Sequence, residues 1–491
     1  MNNTRSLLFV ALCSATASVA APASAQQPDA GHAKNVILFI GDGMGVSTIT
    51  ATRVYSVGVD GKLAVDTFPY VALSRTYSAD AITADSAPTM SSMVSGVNTS
   101  NGVMGFGPSC ENKDFNHDGD GPRTTTILEL AKAAGKKVGV VSTARITHAT
   151  PAACFAHTNN RDNENNIALQ ALPGDAAYNA ALGTGIDLLF GGGRSFFVPN
   201  TSVDEEGDNG SRGDGRDLRQ EFQNAGYSYV WNKQQFSALN YQSLPTLGLF
   251  ESSHMEYEYD RPLDVGGEPS LTEMTTKAIR MLRESSNGFF LMVEAGRIDH
   301  AHHAGNAFRA LTDCEELDRA LRATLATVSL KDTLILVSAD HSHVFNISGY
   351  PLRPASELSY PIGSVPAAFA QAPHSGLLDV VYDINTTSGN VQEAADAHGV
   401  PYTVLVYGNG PGYRGASRVN PWNDSTPGLG GVIPQGPRDP AYLQEAAVPM
   451  GSETHAGEEV AIYAIGKGSS QVRGTVKNAQ IFTWIRAATG L

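Results

Sequence analysis

Short apolar runs recur along this chain and constrain its fold more than any other feature. They are "NVILFIG" from Asn35, "KKVGVVS" from Lys136, "IDLLFGGG" from Ile186, "GFFLMVEAG" from Gly288, "DTLILVSAD" from Asp332, "YTVLVYGNG" from Tyr402 and "EVAIYAIG" from Glu459. A strand with one wet face would alternate apolar and polar residues, whereas these runs are read as strands buried on both faces. Between them lie helix-like segments such as "TTTILELAKAAGK", "SLTEMTTKAIRMLRES" and "NAFRALTDCEELDRALRATLATV". Strands alternating with helices predict an α/β fold with a large central, mostly parallel sheet sandwiched by helices.

Two regions interrupt this rhythm. Residues 199–217 are rich in Gly and Asp, and residues 349–449 are rich in Pro, Gly and Ser, the second stretch being long enough for an inserted subdomain. With 491 residues, 42% of them hydrophobic, the chain can bury a sizeable core. Its opening, "MNNTRSLLFVALCSATASVAAPASAQQ", joins Arg5, an apolar run and Ala23-Ser24-Ala25. It reads as a secretory signal over residues 1–25, which implies a secreted or periplasmic mature chain. No later run reaches the roughly eighteen to twenty apolar residues of a membrane span, and "IFTWIRAATGL" is too short and polar for a lipid-anchor signal, so no membrane anchor is expected. A formal charge of -15 argues against a nucleic-acid partner. Outside the leader, Cys110, Cys154 and Cys314 show no metal-binding spacing and leave any disulfide undetermined.

The chemistry gathers where the strands end. Asp42 follows "VILFIG", His148 and Thr150 follow "VGVVSTARI", Glu294 closes "FFLMVE", and Asp340 with His341 closes "TLILVSAD". Ligands of an open parallel sheet bind beyond the carboxyl ends of its strands, so separated segments are aimed at one place. "EAGRIDHAHHAGN" adds Asp299, His300, His302 and His303, "SADHSHVF" adds His343, and "ETHAGEEV" adds His455. Asp299 and His303, four residues apart, face the same way on a helical turn and can grip one ion together. Carboxylate mixed with imidazole suits zinc, and the carboxylate and hydroxyl set Asp42, Thr150 and Glu294 suits magnesium. Each residue also has a plainer reading: a His near a strand end as a hydrogen-bonded surface group, Asp42 in "GDGMG" as a turn, Ser86 in "ADSAPT" as a helix cap. The coincidence favours metal, because so many buried carboxylates repel one another unless cations lie among them.

The motifs "GDGMGVSTITATR", "DSAPT", "THATPAACFAHTNNR", "LFGGGR", "GFFLMVEAGRIDHAHH", "LVSADHSHVFNISGYPLR", "YTVLVYGNGPGY" and "ETHAGEEVAIYA" resemble those of the alkaline phosphatases, more the animal type than the enteric bacterial one. The resemblance runs from about Asn35 to Ile485. It implies a catalytic domain over residues 26–491, with 349–449 as a crown-like insertion at the interface of a homodimer. It implies two zinc ions, one on Asp299, His303 and His455 and one on Asp42, Asp340 and His341 beside the nucleophile Ser86, and one magnesium ion on Asp42, Thr150 and Glu294. Arg161 matches the arginine that clamps the phosphate. His343 orients Asp299, while His148 and His300 fall where members differ and modulate pH optimum and metal preference. The implied reaction hydrolyses small phosphate monoesters, with broad specificity, through a phosphoserine on Ser86. Capping and catalysis are compatible there, since the free N–H groups and positive end of a helix suit a phosphate. Asp85 is read as a structural neighbour.

The resemblance further implies a calcium site on Glu206, the Phe250 carbonyl, Glu251 and Glu268, with ligands suited to a hard cation. "DFNHDGDG" from Asp114 imitates half of a calcium loop, but Thr125 stands where a Glu would be needed, so it is read as a solvated acidic loop. Cys110 has a family counterpart in a disulfide whose partner is absent from "PGDAAYNAALGTGIDLL", and no such bridge is expected. A sulfatase on the same scaffold would need an Arg that "DSAPT" lacks. A diesterase would tend to carry a Thr nucleophile and no third metal set, and a storage protein would have little use for Ser86 and Arg161.

Overall fold

The computed structural model describes residues 31–110, 120–353, 363–371 and 374–491. The leader and the stretch 114–119 of the acidic loop lie outside the described residues. Ten of the described strands form one sheet. In chain order they are β1 (Asn35–Gly41), β2 (Tyr70–Arg75), β3 (Lys137–Arg145), β4 (Leu188–Gly192), β5 (Ser228–Val230), β6 (Thr246–Leu249), β7 (Phe289–Ala295), β8 (Thr333–Ser338), β9 (Val460–Gly466) and β10 (Gly474–Lys477). Their spatial order is β10-β2-β9-β8-β1-β7-β3-β4-β6-β5. Every pairing is parallel except those of β9, which runs antiparallel to β2 and β8.

The helices that matter most here are α1 (Val46–Val57), α2 (Ser86–Ser95), α3 (Ile127–Ala133), α4 (Ala149–Ala152), α5 (Leu271–Leu282), α6 (Arg297–His303), α7 (Ala307–Thr327) and α8 (Gln480–Thr489). They cover both faces of the sheet, as strand β1 makes plain. Val36, Leu38 and Ile40 join one core with Met90 and Met93 of α2, Ile127 of α3 and Ile485 of α8. Ile37 and Phe39 point the other way, into a core with Met274 and Ile279 of α5 and Leu317 of α7. Successive side chains of a strand alternate between faces, and here neither face meets water, which is why the run is unbroken. Helix α5 starts where its sequence says it should: the Ser270 side chain accepts from Glu273 N, and Glu273 reaches back to Ser270 N.

Two apolar runs behave differently from expectation. "YTVLVYGNG" lies outside the central sheet: its strand Leu405–Gly410 pairs with Phe345–Ile347 and Glu445–Pro449 in a separate three-stranded sheet. Its alternate positions are only partly covered, so a single packed face suffices for it. "EVAIYAIG" is in the central sheet, but antiparallel, because it enters from the end at which the other strands finish. Strands β2 and β10 gave no apolar signal, since β2 alternates buried and exposed residues and β10 is largely exposed. Within 349–449, Phe369, Val380, Tyr382 and Val391 form a small core of their own, while Leu377, Leu378 and Val381 pack with Ala51 and Tyr55 of α1. Cys154 and Cys314 are unbridged core thiols, and Cys110 is buried beside Val103 and Phe106. No helix among the described residues is long and apolar enough to cross a membrane.

The fully buried Leu38 measures how much this core contributes. Leu38→Ala is expected to lower unfolding stability by about 2–5 kcal/mol, whereas Val59→Ala, at a half-exposed site, changes it by about 0.5 kcal/mol or less. Urea unfolding of the two variants checks this.

Candidate active site

Strands β8, β1, β7 and β3 are neighbours in that order, and their carboxyl ends deliver the site. Asp42 leaves β1 with its N–H donating to Ala295 O at the end of β7 (3.3 Å), and Gly43 N donates to Asp340 Oδ1 just past β8 (3.1 Å). Gly43 is required here: its φ is +66°, and a Cβ would lie 2.3 Å from His343 Nε2. Since β9 is antiparallel, its beginning reaches the same edge, and the short strands His455–Ala456 and Ser342–His343 pair there.

Three groups come together first. Asp299 Oδ1 stands 3.4 Å from His303 Nε2 and 3.4 Å from His455 Nε2, and the two ring nitrogens are 3.1 Å apart. Ligands about 2.0–2.1 Å from one tetrahedral ion would be separated by about 3.3 Å, so this trio fits a single zinc-sized ion. Each imidazole is also aimed. His303 Nδ1 donates to Glu453 O (2.6 Å) and His455 Nδ1 to Ala84 O (2.9 Å), which leaves both Nε2 lone pairs facing Asp299. His343 Nε2 lies 2.8 Å from the same Asp299 oxygen. Burial opposes charge on His343, but hydrogen bonds to Asp299 and Glu453 outweigh it and raise its pKa to about 9. Burial likewise opposes charge on Asp299, yet the neighbouring His303 and the hydrogen bond from His343 hold its carboxyl well below the usual range.

A second set adjoins the first, the His341 and His455 rings being stacked at 3.5 Å. His341 Nε2 is 3.4 Å from Asp42 Oδ1, 3.2 Å from Asp340 Oδ2 and 3.1 Å from Ser86 Oγ. On the other side of Asp42, Thr150 Oγ1 of α4 donates to Asp42 Oδ2 (3.2 Å), and His148 and Glu294 approach it closely enough to share a cation. Ser142, opposite Glu294 in the register of β3 and β7, donates to Glu294 Oε2. Asp42 Oδ1, Asp340 Oδ2 and Glu294 Oε1 are buried without any hydrogen-bond donor. Burial, reinforced by Asp340, Asp299 and Glu294, pushes the Asp42 carboxyl far up, burial raises Asp340, and burial pushes Glu294 up to about 7. His341, His148 and His300 are driven well down by burial. Acids that resist losing protons beside bases that resist gaining them are what divalent cations relieve, so the donor sets fit metal.

Ser86 opens α2, but the cap is Asp85, whose carboxylate accepts from Ala87 N (2.7 Å). The plainer reading of Ser86 as the helix cap thus falls to Asp85, and the Ser86 Oγ is left free of the helix and faces His341. Asp85 does a second thing the sequence reading missed, pairing with Arg161 (Nη1 to Oδ1, 3.3 Å). Arg161 Nη2 also donates to His148 Nε2 at 2.9 Å. His148 and His300 belong to a cluster with His254, whose ring lies 5.3 Å and 4.0 Å from theirs. His254 lies just past the end of β6, whose four-residue run "TLGL" is too short to stand out in the sequence as a buried strand.

The acidic residues expected to hold calcium are divided. Glu206, Glu251 and Asp264 come close enough to share one ion, and Asp264 replaces Glu268 in that group. Glu268 is buried, accepts from Glu256 N (3.0 Å) and borders a separate cavity of about 10 Å³. Burial pushes Glu251 up to about 7 and Glu268 up to about 9. Glu206 also pairs with the buried Arg194.

A family model described as alkaline phosphatase matches residues 33–491. The tissue-nonspecific alkaline phosphatase of Gallus gallus is 39% identical over 467 residues, 90% of this chain and 82% of that protein. The human tissue-nonspecific isozyme is 37% identical over 467 residues, 90% and 81% of the two chains. Among solved structures, Thermus thermophilus alkaline phosphatase superposes with a TM-score of 0.64 at 27% identity, covering 95% of this chain and 93% of that one. Sequence and fold thus agree over nearly the same span, and the chain belongs to the alkaline phosphatase family, metal-dependent hydrolases of phosphate monoesters.

Proposed function

We propose that this phosphomonoesterase works through a phosphoserine on Ser86, with two zinc ions and one magnesium ion in the three adjoining donor sets. Asp299, His303 and His455 would hold one zinc, Asp42, Asp340 and His341 the other, and Asp42, Thr150 and Glu294 the magnesium. The observation that carries this reading is Ser86 Oγ, 3.1 Å from His341 Nε2 and beside the unpartnered oxygens of Asp42 and Asp340. Bound there, the ions would supply Lewis-acid stabilisation of the attacking and leaving oxygens and lower the proton affinity of hydroxyl and water.

The chain's own residues do the rest. Ser86, in the first turn of α2, is presented with the positive helix end behind the phosphate it attacks. Arg161 offers a planar fork to two non-bridging oxygens, with Asp85 and His148 fixing its direction. Ser86 Oγ forms the new P–O bond as the alcohol oxygen leaves, and water then attacks from the vacated side, so two inversions give net retention. Grip on the phosphoryl group alone supports broad specificity for the alcohol. His343 orients Asp299, while His148 and His300 tune pH optimum and metal preference. Glu206, Glu251 and Asp264, which come close enough to share one ion, would hold calcium with hard oxygen donors, joined by the Phe250 carbonyl that the family resemblance implies. The stretch 1–25 supports export as a secreted or periplasmic enzyme, and 349–449 supports a crown at a homodimer interface.

Ser86→Ala is expected to lower kcat for an aryl phosphate on the order of a thousandfold or more, with metal content unchanged and no activity on diesters or sulfate esters in the parent. Full activity in that variant would remove Ser86 from the reaction.

For calcium, saturation at about a hundred times Kd should stabilise the protein by about 2.7 kcal/mol, and Glu251→Gln should abolish that gain. In the calcium-free protein the raised Glu251 pKa means that the folded state binds its proton more tightly. Stability from this group is present below the ordinary glutamate range, falls as pH rises to about 7, and is level above. Thermal unfolding across pH, with and without calcium, reads both effects.

A further inference from the structure

Glu453 is 1% exposed, and its carboxylate makes two hydrogen bonds, with His303 Nδ1 standing further off at 3.9 Å from Oε2. Oε2 lies 2.5 Å from His343 Nδ1, and Oε1 accepts from Val344 N at 2.8 Å. His343 spans two carboxylates, because its Nε2 is 2.8 Å from Asp299 Oδ1. The ring has no room to turn: His302 packs on it at 4.8 Å, itself held by Thr48 and Tyr407, and the Gly43 turn closes its Nε2 edge. Meanwhile the Glu453 main chain grips His303 twice. Glu453 N donates to His303 O (2.9 Å), and Glu453 O accepts from His303 Nδ1 (2.6 Å). Two residues further on, in the same extended segment, comes His455.

We propose that Glu453 is a positioning residue for the Asp299, His303 and His455 metal set, its side chain holding Asp299 through His343 and its main chain holding His303 with Nε2 free. The proposal rests on the assignment of that trio as zinc ligands. One residue thereby aims two ligands that come from helix α6 and sits two positions before the third. Ligand orientation by such outer partners changes metal affinity by roughly 10–100-fold. A carboxylate that merely anchored the loop through Val344 N would leave metal affinity alone.

The test uses the full-length protein loaded with zinc, and follows zinc release to a chromogenic chelator. Glu453→Gln, which keeps the size and an acceptor for Val344, is expected to release one of the zinc ions roughly 10–100-fold faster, with kcat recovering as free zinc is raised. Glu453→Asp, which retains the charge, should fall between. In a His343→Asn background, Glu453→Gln should add little, because the path through His343 is already cut. Release at the parental rate, or an equal effect in both backgrounds, would overturn the proposal. An Asp299→Ala protein that keeps both zinc ions would instead overturn the ligand assignment beneath it, and the proposal with it.

Discussion

Four carboxylates, Asp42, Glu294, Asp299 and Asp340, are buried at the ends of neighbouring strands, and much of the surrounding structure exists to make that tolerable. Removing each ion from water costs several kcal/mol unless an opposite charge and hydrogen bonds replace the solvent. Main-chain donors do part of this, as Gly43 N and His341 N do for one oxygen of Asp340. They do not reach its other oxygen, nor Asp42 Oδ1 or Glu294 Oε1. The imidazoles nearby are mostly held neutral by burial, so they offer lone pairs in place of positive charge. Such a cluster is a stable arrangement only around cations.

Topology lets so distant a set of residues meet. Asp42 and His455 stand near opposite ends of the described chain, yet both lie at one edge of the sheet. Parallel strands bring their carboxyl ends there, and β9, reversed, brings its beginning. The pairing of His455 with His343 then locks the late segment to the loop after β8. The core beneath is dry on both sides of β1, which holds the strand ends firmly enough for atoms of helix α6 and of the late segment at His455 to keep separations near 3.3 Å.

Most of this was legible in the residues. Runs buried on both faces announced the parallel sheet, and the polar residue closing each run announced the site. What escaped was set by contacts that leave no periodic trace. Strand β2 escaped because it alternates, and "YTVLVYGNG" was misplaced because a one-faced strand in a small sheet can be nearly as apolar as a central one. Ser142 escaped because its importance lies in register with Glu294, 152 positions away. Asp264 escaped because a loop of Gly and Asp gives no periodic signal, and only the packing brings it, and not Glu268, beside Glu206 and Glu251. Glu453 opens the motif "ETHAGEEV" but drew no role of its own, since a buried carboxylate cannot be told from an exposed one in the sequence.

The surroundings of Arg161 carry the electrostatic logic one step further. A guanidinium flanked by two carboxylates would be largely neutralised before any phosphate arrived. Here only one flank is a carboxylate, Asp85, and it is also engaged with Ala87 N and partly exposed. The other flank is His148, which burial, then Arg161 itself, hold uncharged. A neutral imidazole accepts a hydrogen bond and fixes the plane of the guanidinium without cancelling its charge. Direction and charge are thereby separated: Asp85 and His148 set where the fork points, and on the proposed mechanism most of its positive field is left for the phosphoryl group at Ser86.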